Sequence, residues 1–270
     1  AVASGSVVLL VGALLFRESL PALGSVGSDF LLDRSWHPAP VSKDGTFGLL
    51  PMAVGTLAVT VGAIALAAPF GVMSAVVCRD YVPPWLGILY KRMIEVMAGV
   101  PSVVYGLWGM TVLAPMILAW RAPGVSLLAG IIVLALMVLP TVALLSEAAL
   151  AGVPEEYARG ARALGMNRAR ILWGVSMPAA RSGIVTGVIL AIGRALGETM
   201  AVLMVTGNVV QFPSSLFDPV RALTSNIALE MAYAMGDHRS ALFVCGLVLT
   251  AVVALLVVAA EVLSRGNTHA

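Results

Sequence analysis

The segment GIVTGVILAIGRALGETMAVLMVTGN, residues 183–208, is apolar except for two ionisable side chains four positions apart. These are Arg194 and Glu198. Residues i and i+4 lie on one face of a helix, so the spacing predicts that the guanidinium meets the carboxylate. Ionisable groups are costly at bilayer depth, so an intramembrane pair is a functional-site hypothesis by default. Small residues also recur along the segment and predict close packing with another helix. They are Gly183, Gly187, Ala191 and Ala195 in one stripe, and Gly193 and Gly197 in a second.

The composition predicts that this segment lies in a membrane. Of the 270 residues, 60% are hydrophobic and 11% are charged, whereas about a quarter are charged in ordinary soluble domains. A membrane span needs about 20 mostly apolar residues. The candidate runs are 2–16, 52–77, 93–118, 125–145, 183–205 and 241–263. We therefore predict an all-α polytopic membrane protein with about six transmembrane helices. The first run is short and the chain begins with Ala, so we expect that helix to be cut or processed at its start.

The placement of positive charge predicts the topology. Nine Lys and Arg residues fall on one side of the predicted spans and six on the other. Five of the nine lie between Arg159 and Arg181, and positive residues favour the cytoplasm. We therefore predict one membrane domain, 1–270, with the following connections. They are a cytoplasmic loop at 146–182 and ordered external loops at 17–48 and 208–240.

The cysteines and histidines do not form a metal-binding pattern. Cys78 and Cys245 fall at or within predicted spans, far apart in sequence, and we interpret them as buried apolar thiols. His37 and His238 fall in predicted loops and His269 in the tail. Solvated side chains are the favoured interpretation for all three histidines, and we expect no metal.

The loop at 146–182 has the pattern of a helix, a turn and a second helix. Pro154, followed by Glu155 and Glu156, is typical of a helix start, because proline suits the first turn and acids complement the helix dipole. Gly165 predicts the end of that helix, and Asn167 predicts a cap for the next one. We expect helices near 154–164 and 167–175, with Pro178 breaking the chain afterwards. The loop is either a solvated surface or a docking element for another protein.

This loop resembles the cytoplasmic coupling loop of ABC-importer permeases. That family pattern is Glu-Ala-Ala, three residues, Gly, nine residues, then Ile-x-Leu-Pro. With its glycine on Gly165, the pattern ends on Val175, Ser176, Met177 and Pro178. The Glu-Ala-Ala positions become Arg159, Gly160 and Ala161, of which only the last matches. The resemblance implies that residues 155–165 dock on an ATPase subunit, with Glu155, Glu156, Arg159, Ala161, Gly165 and Pro178 as the coupling residues.

Three further stretches are similar to phosphate-uptake permeases of the Pst family, most of all to the PstC-type subunit. They are MAGVPSVVYGLWG at 97–109, GRALGETMAVLMVTGN at 193–208, and HRSAL at 238–242, which resembles a last periplasmic turn. The resemblance covers roughly residues 49–263. It implies the MetI-like permease fold and a multi-pass protein of the bacterial plasma (inner) membrane. It also implies a PstA-like second permease, a PstB-like ATPase dimer and a PstS-like phosphate-binding protein as partners, besides membrane lipid and without nucleic acid.

The chain lacks the motifs of an enzyme. There is no G-x-x-x-x-G-K-[ST] phosphate loop, no G-x-S-x-G nucleophile and no H-E-x-x-H pair. We therefore predict a transport subunit that hydrolyses no ATP itself and binds no cofactor. ATP and Mg would be used by a separate ATPase chain.

Arg194 is the leading candidate for contact with a phosphate ion. Its planar guanidinium carries several donors that match phosphate oxygens. The hypothesis is that Arg194 lines the path and that Glu198 neutralises it when the path is empty. The alternative is that the pair only pins two helices together.

Other polar residues are weaker candidates for the path. Ser102 and Tyr105 can place hydroxyls toward the path, while Gly99, Pro101 and Gly106 indicate a broken helix. A packing kink has equal weight there. Thr199 extends the polar character of the fifth span. We interpret Asn208 as a helix-end cap.

Two other functions remain open. A permease of the same superfamily could carry sulfate or molybdate, and uptake competition distinguishes these anions. A secondary transporter could use Glu198 as a proton carrier, although no clear internal repeat supports it.

Overall fold

The structure is a computed structural model that describes residues 2–27, 30, 33–38 and 46–266. Within these residues we number ten helices and one two-stranded sheet. Five helices are long and apolar enough to cross a membrane, or six spans if one broken pair counts as a single span. The predicted all-α polytopic architecture is confirmed. A helix satisfies its own backbone hydrogen bonds, as lipid requires.

Each of the five long helices overlaps one of the predicted runs. The helices are α1 (Val2–Val26), α2 (Leu50–Asp80), α5 (Leu127–Ala151), α7 (Arg168–Leu196) and α10 (Gly236–Gly266). The helices α1, α2 and α10 extend past their apolar runs into polar residues, because a helix does not stop where charge begins. The segment 238–242, expected as a turn, is therefore helical and belongs to the start of α10. By contrast, α7 ends at Leu196, before the end of its predicted run.

The first predicted external loop begins ten residues too early. Residues 17–26 continue α1, since Arg and Glu are good helix formers. Beyond α1, β1 (Trp36–His37) pairs antiparallel with β2 (Thr46–Phe47), and Trp36 stands opposite Phe47. The second predicted loop, 208–240, contains the helix α9 (Leu223–Glu230) and the first residues of α10.

The third predicted span is not one helix. It consists of α3 (Pro84–Gly99) and α4 (Ser102–Leu118), with a break at Val100 and Pro101. Val100 is extended, with φ −66° and ψ 129°. Proline disfavours the helical conformation in the preceding residue, so the predicted break is present. The helix α3 starts nine residues before the predicted apolar run, because the charged residues Lys91 and Arg92 interrupt the apolar pattern.

The fifth predicted span is also divided. The helix α7 ends at Leu196, a turn follows, and α8 covers Met200–Val205. Upstream, α7 absorbs the predicted second loop helix through a π-helical turn, Leu172–Ser176. Pro178 therefore does not break the chain as expected. The wide turn, in which the Met177 N–H donates to the Leu172 carbonyl, changes the helix register just before the proline that lacks an N–H.

Contacts group the chain into two compact units, and the first consists of Ala1–Gly62, Ser102–Leu134 and Leu196–Ala254. One of its core clusters gathers Trp36, Phe47, Leu49, Met52, Leu223 and Leu242. In another, α4 packs against α8 at Gly106. A Cβ there would lie 2.8 Å from Met204 Sδ and 3.0 Å from Ala201 Cα. A Cβ at this position would therefore require Met204 or the α8 backbone to shift.

The second unit consists of Ala63–Pro101, Ala135–Ala195 and Leu255–Ala270. Its core gathers Ala75, Val76, Leu150, Leu172 and Ala180. The π-helical turn contributes Leu172, so this turn is part of the packed interior. The predicted single permease domain stays a prediction.

Candidate functional site

Arg194 lies in the last turn of α7 with an exposed side chain. Its Nη1 donates to Thr141 Oγ1 of α5 over 3.4 Å, which is long for such a bond. Arginine carries five N–H donors, so a single long bond leaves most of them available. The structure therefore presents a guanidinium whose geometry suits an anion.

Glu198 lies in the turn between α7 and α8 and is half-buried. Its Oε1 accepts from the Ala201 N–H at 3.1 Å, and Thr224 Oγ1 donates to its backbone carbonyl at 3.0 Å. The predicted pairing with Arg194 on one helical face is wrong, because that helix ends at Leu196. Neither side chain takes part in an ion pair among the residues that the structure describes.

The local sequence explains this turn. Gly197 has low helix propensity, and the Glu198 carboxylate offers an acceptor to a free backbone N–H of the next helix. Thr199 Oγ1 donates to the Gly197 carbonyl at 3.2 Å, which closes the turn. The RALGET segment is thus a helix end, a turn and a helix start.

The weaker candidates have different surroundings. Ser102 is the half-buried first residue of α4. Tyr105, one turn later, packs against the core cluster that contains Leu113 and Val205. This packing agrees with the alternative of a packing kink. Asn208 follows α8 with φ +54°, and its Nδ2 donates to the Leu203 carbonyl at 2.7 Å, as a helix-end cap does.

The two predicted small-residue stripes differ. A Cβ on Gly183 would lie 2.7 Å from Ala149 Cβ, and one on Gly187 would lie 2.8 Å from Leu145 Cβ. Both glycines therefore permit close packing of α7 on α5. By contrast, a Cβ on Gly193 would have no such neighbour within 4 Å. Gly197 lies outside the helix, so among the described residues the second stripe makes no close packing like that of Gly183 and Gly187.

The predicted coupling loop begins with α6 (Glu155–Ala163), which starts after Pro154 as expected. The helix ends in a Schellman motif. Met166 N–H donates to the Ala161 carbonyl at 3.1 Å and Gly165 N–H to the Arg162 carbonyl at 2.9 Å. Gly165 has φ +77°, which requires glycine in practice. Asn167 accepts from the Arg170 N–H and caps α7, as predicted.

The surface of α6 is charged with apolar residues between the charges. Glu155 and Glu156 are exposed, and Arg159 donates to Glu155 at 3.2 Å. Ala161 is buried, whereas Tyr157 is 54% and Leu164 80% exposed. Tyr157 and Leu164 therefore place exposed apolar side chains beside the charged ones. Pro178 is exposed on α7, away from this helix in sequence.

A buried ionic cluster in the first unit was missed by the sequence analysis. Glu230, the last residue of α9, is only 6% exposed. Its Oε1 accepts from Arg221 Nη1 at 2.7 Å, and its Oε2 accepts from Trp36 Nε1 at 2.8 Å. His238 Nε2 also lies 2.8 Å from Oε2. The prediction of a solvated His238 is wrong, because this carboxylate binds its ring.

No motif signals this cluster. Its members come from β1, from the loop before α9, from α9 itself and from the start of α10, and Trp36 lies 194 positions from Glu230. The one hint is an acid inside an otherwise apolar stretch, NIALEMAYAM. Of the other histidines, His37 is exposed on β1, and His269 lies outside the described residues.

The second unit holds a smaller polar group. Lys91 Nζ lies 2.8 Å from Glu147 Oε2, and Ser74 Oγ lies 2.7 Å from Tyr90 OH. Cys78 is half-buried and donates to the Gly87 carbonyl at 3.3 Å, whereas Cys245 is fully buried in the first unit. Neither thiol forms a disulfide.

Comparison with known proteins identifies the class. Residues 67–268 match the family model described as "Binding-protein-dependent transport system inner membrane component". The fold agrees, since the inward-facing MetNI methionine ABC transporter superposes with a TM-score of 0.61 at 18% identity, over 82% of this chain and 94% of that one. The chain belongs to this family of ABC-importer permeases and is an inner-membrane transport subunit.

Within the family, the predicted likeness to PstC-type permeases is confirmed. The chain is 33% identical over 280 residues to the phosphate transport system permease protein PstC of Mesorhizobium japonicum, covering 94% of this chain and 84% of that protein. PstC of Pasteurella multocida is also 33% identical, over 90% of this chain and 82% of its own. The probable ABC transporter permease protein YqgH of Bacillus subtilis is 40% identical to this chain. The match covers 76% of this chain and 66% of YqgH.

Proposed function

We propose that the chain is a permease subunit of an ATP-driven importer that moves inorganic phosphate across the bacterial inner membrane by alternating access. The observation that carries the proposal is the 33% identity to a phosphate transport permease over 94% of the chain. Phosphate is a small hydrated anion, so its crossing requires polar groups along a protein-lined path.

Arg194 is the residue we assign to the anion. Its exposed guanidinium makes one long bond to Thr141 and lies at the end of a membrane-spanning helix. Arginine binds phosphate oxygens through two parallel N–H donors. Glu198 has another role in this proposal. Its carboxylate fixes the first turn of α8 and so shapes the segment that follows Arg194. Thr199, Ser102 and Tyr105 are secondary candidates for the path.

Membership of the ABC-importer permease family supports a proposal for the partners. A PstB-like ATPase dimer would dock on α6, use ATP and Mg, and transmit closure through Glu155, Glu156, Arg159 and the neighbouring residues. A PstA-like second permease would complete the path, and a PstS-like binding protein would deliver phosphate outside. This chain would bind no cofactor of its own.

The decisive test replaces Arg194 with lysine in the complex purified with its neighbouring subunits. Lysine keeps the charge but loses the planar fork, so we expect phosphate uptake to fall roughly 10- to 100-fold. This range corresponds to the loss of a hydrogen bond to a charged group. Assembly and basal ATPase activity should stay unchanged. Arg181→Lys, another exposed arginine on α7, is the matched control. Full uptake by the Arg194→Lys complex would rule out direct contact.

Substrate and energy source are tested on the wild-type complex. Sulfate or molybdate that displaces labelled phosphate at equal concentration would favour a different oxyanion. Uptake that persists without the ATPase subunits would instead favour a secondary transporter with Glu198 as proton carrier.

A further inference from the structure

Glu230 is the most deeply buried ionisable group in the network of the first unit. An isolated buried carboxylate is strongly unfavourable, so it must be paired and hydrogen-bonded. Arg221 neutralises it at 2.7 Å and is itself mostly covered, with 19% of its side chain exposed. Trp36 and His238 supply the other two contacts. The cluster therefore fixes the relative positions of β1, α9 and the start of α10.

Hydrogen bonds connect the cluster to α8. Arg221 uses its Nε to donate to the Asn208 carbonyl at 2.8 Å while its Nη1 binds Glu230. Asn208 in turn donates to the Leu203 carbonyl in the last turn of α8. The Val220 N–H adds a parallel contact, donating to the Thr206 carbonyl at 2.9 Å. The end of α8 is thus held to the carboxylate through one arginine.

On its other side, the cluster contacts an exposed surface that contains Tyr233 and Met235. His238 stacks with Phe47 at 6.3 Å and contacts Tyr233 at 5.9 Å between ring centroids. Beside it, Tyr233 is 62% exposed and Met235 82% exposed. These two residues lie in the predicted external loop 208–240. Aromatic and methionine side chains are enriched in protein interfaces.

We propose that Glu230 is a positioning residue that couples this external face to α8, so that a binding protein docked on Tyr233 and Met235 moves the segment after Arg194. The inference rests on the proposed function, because the partner is the binding protein of the importer. The coupling element is the chain of contacts from His238 and Trp36 through Glu230 and Arg221 to Asn208. Contact with the anion itself remains assigned to Arg194.

The test uses the full complex and measures ATPase activity with and without phosphate-loaded binding protein. In Glu230→Gln, we expect the stimulation by saturating binding protein to fall roughly 2- to 30-fold, the range seen for residues that carry coupling. The half-saturating concentration of binding protein should stay within about twofold, because the exposed face is intact. A role limited to folding would instead lower assembly and basal ATPase activity.

Two further variants make the outcome decisive. Trp36→Phe keeps an aromatic side chain in the core but removes the N–H donated to Glu230, together with part of the indole. We expect it to reduce stimulation with full assembly. Replacing both charges, in Arg221→Met with Glu230→Leu, avoids a buried unpaired charge. We expect this double variant to assemble and yet remain unstimulated. Arg121→Gln, an exposed arginine of the same unit, is the control.

The outcomes separate the two proposals. A wild-type complex that phosphate-loaded binding protein does not stimulate would overturn the proposed function. A stimulated wild type, with variants that assemble and keep normal stimulation, would overturn the positioning role of Glu230 alone.

Discussion

At the scale of single residues, three carboxylates of the chain serve different purposes. Glu198 accepts a backbone N–H at the start of α8, Glu230 is the centre of a buried ionic cluster, and Asp218 closes a surface turn. Their roles depend on the neighbours that the fold supplies, and only Glu198 attracted attention in the sequence. A charge in an apolar segment therefore drew attention to Glu198 and not to Glu230, which has more side-chain partners.

Asp218 gives a prediction about pH. Its carboxylate accepts from the Ser214 hydroxyl and from the Ser214 and Ser215 N–H groups, and these bonds lower the pKa of Asp218 below its usual value. A lowered folded-state pKa stabilises the turn above the unfolded pKa, and the stabilisation disappears as pH falls through the folded pKa. We expect the hydrogen-exchange protection factors of the amides at residues 214–218 to fall in that acidic window. Asp218→Asn should remove most of this dependence, and an unchanged pH profile in the variant would contradict the assignment.

At the scale of elements, α5 and α7 pack through small residues. The helices approach at Gly183 and Gly187 so closely that no side chain fits between them and the partner. Without a hydrophobic driving force in lipid, such close packing is a main source of helix association. The same rule explains Gly106 between α4 and α8.

The packing can be tested with matched glycines of one helix. Gly187→Ala places a Cβ 2.8 Å from Leu145 Cβ, whereas Gly193→Ala meets nothing of this kind within 4 Å. Overpacking costs about 1–3 kcal/mol, so Gly187→Ala should lower the Tm of the purified protein in detergent. Gly193→Ala should leave the Tm nearly unchanged. Equal Tm values for the two variants would show that the seam is not tightly packed.

At the scale of the whole molecule, five or six apolar spans alternate with two kinds of connection. One contains the charged helix α6, and the other contains the sheet, α9 and the Glu230 cluster. The predicted cytoplasmic loop thus presents a short capped helix, while the predicted external loops are ordered by buried contacts.

The proposed docking of α6 and Leu164 on the ATPase subunits can be tested by mutation. Leu164→Asp puts a charge at the most exposed apolar residue of the loop, 80% exposed, and we expect the ATPase subunits to be lost on purification because a charge in a contact core is unfavourable. Leu216→Asp, at a leucine 51% exposed in the predicted external loop, should retain them. Retention of the ATPase subunits in the Leu164→Asp complex would remove this helix from the interface.

The amino-acid sequence by itself determined the membrane class, the helical architecture, the helix-turn-helix loop with its Gly165 stop and Asn167 cap, and the likeness to PstC-type permeases. These depend on composition, local backbone preference and motif order. Tertiary structure decided that Gly187 packs against Leu145 and that His238 and Trp36 meet on Glu230. Contacts between residues nearly 200 positions apart leave no periodic trace in a single sequence, because only the packed fold brings them together.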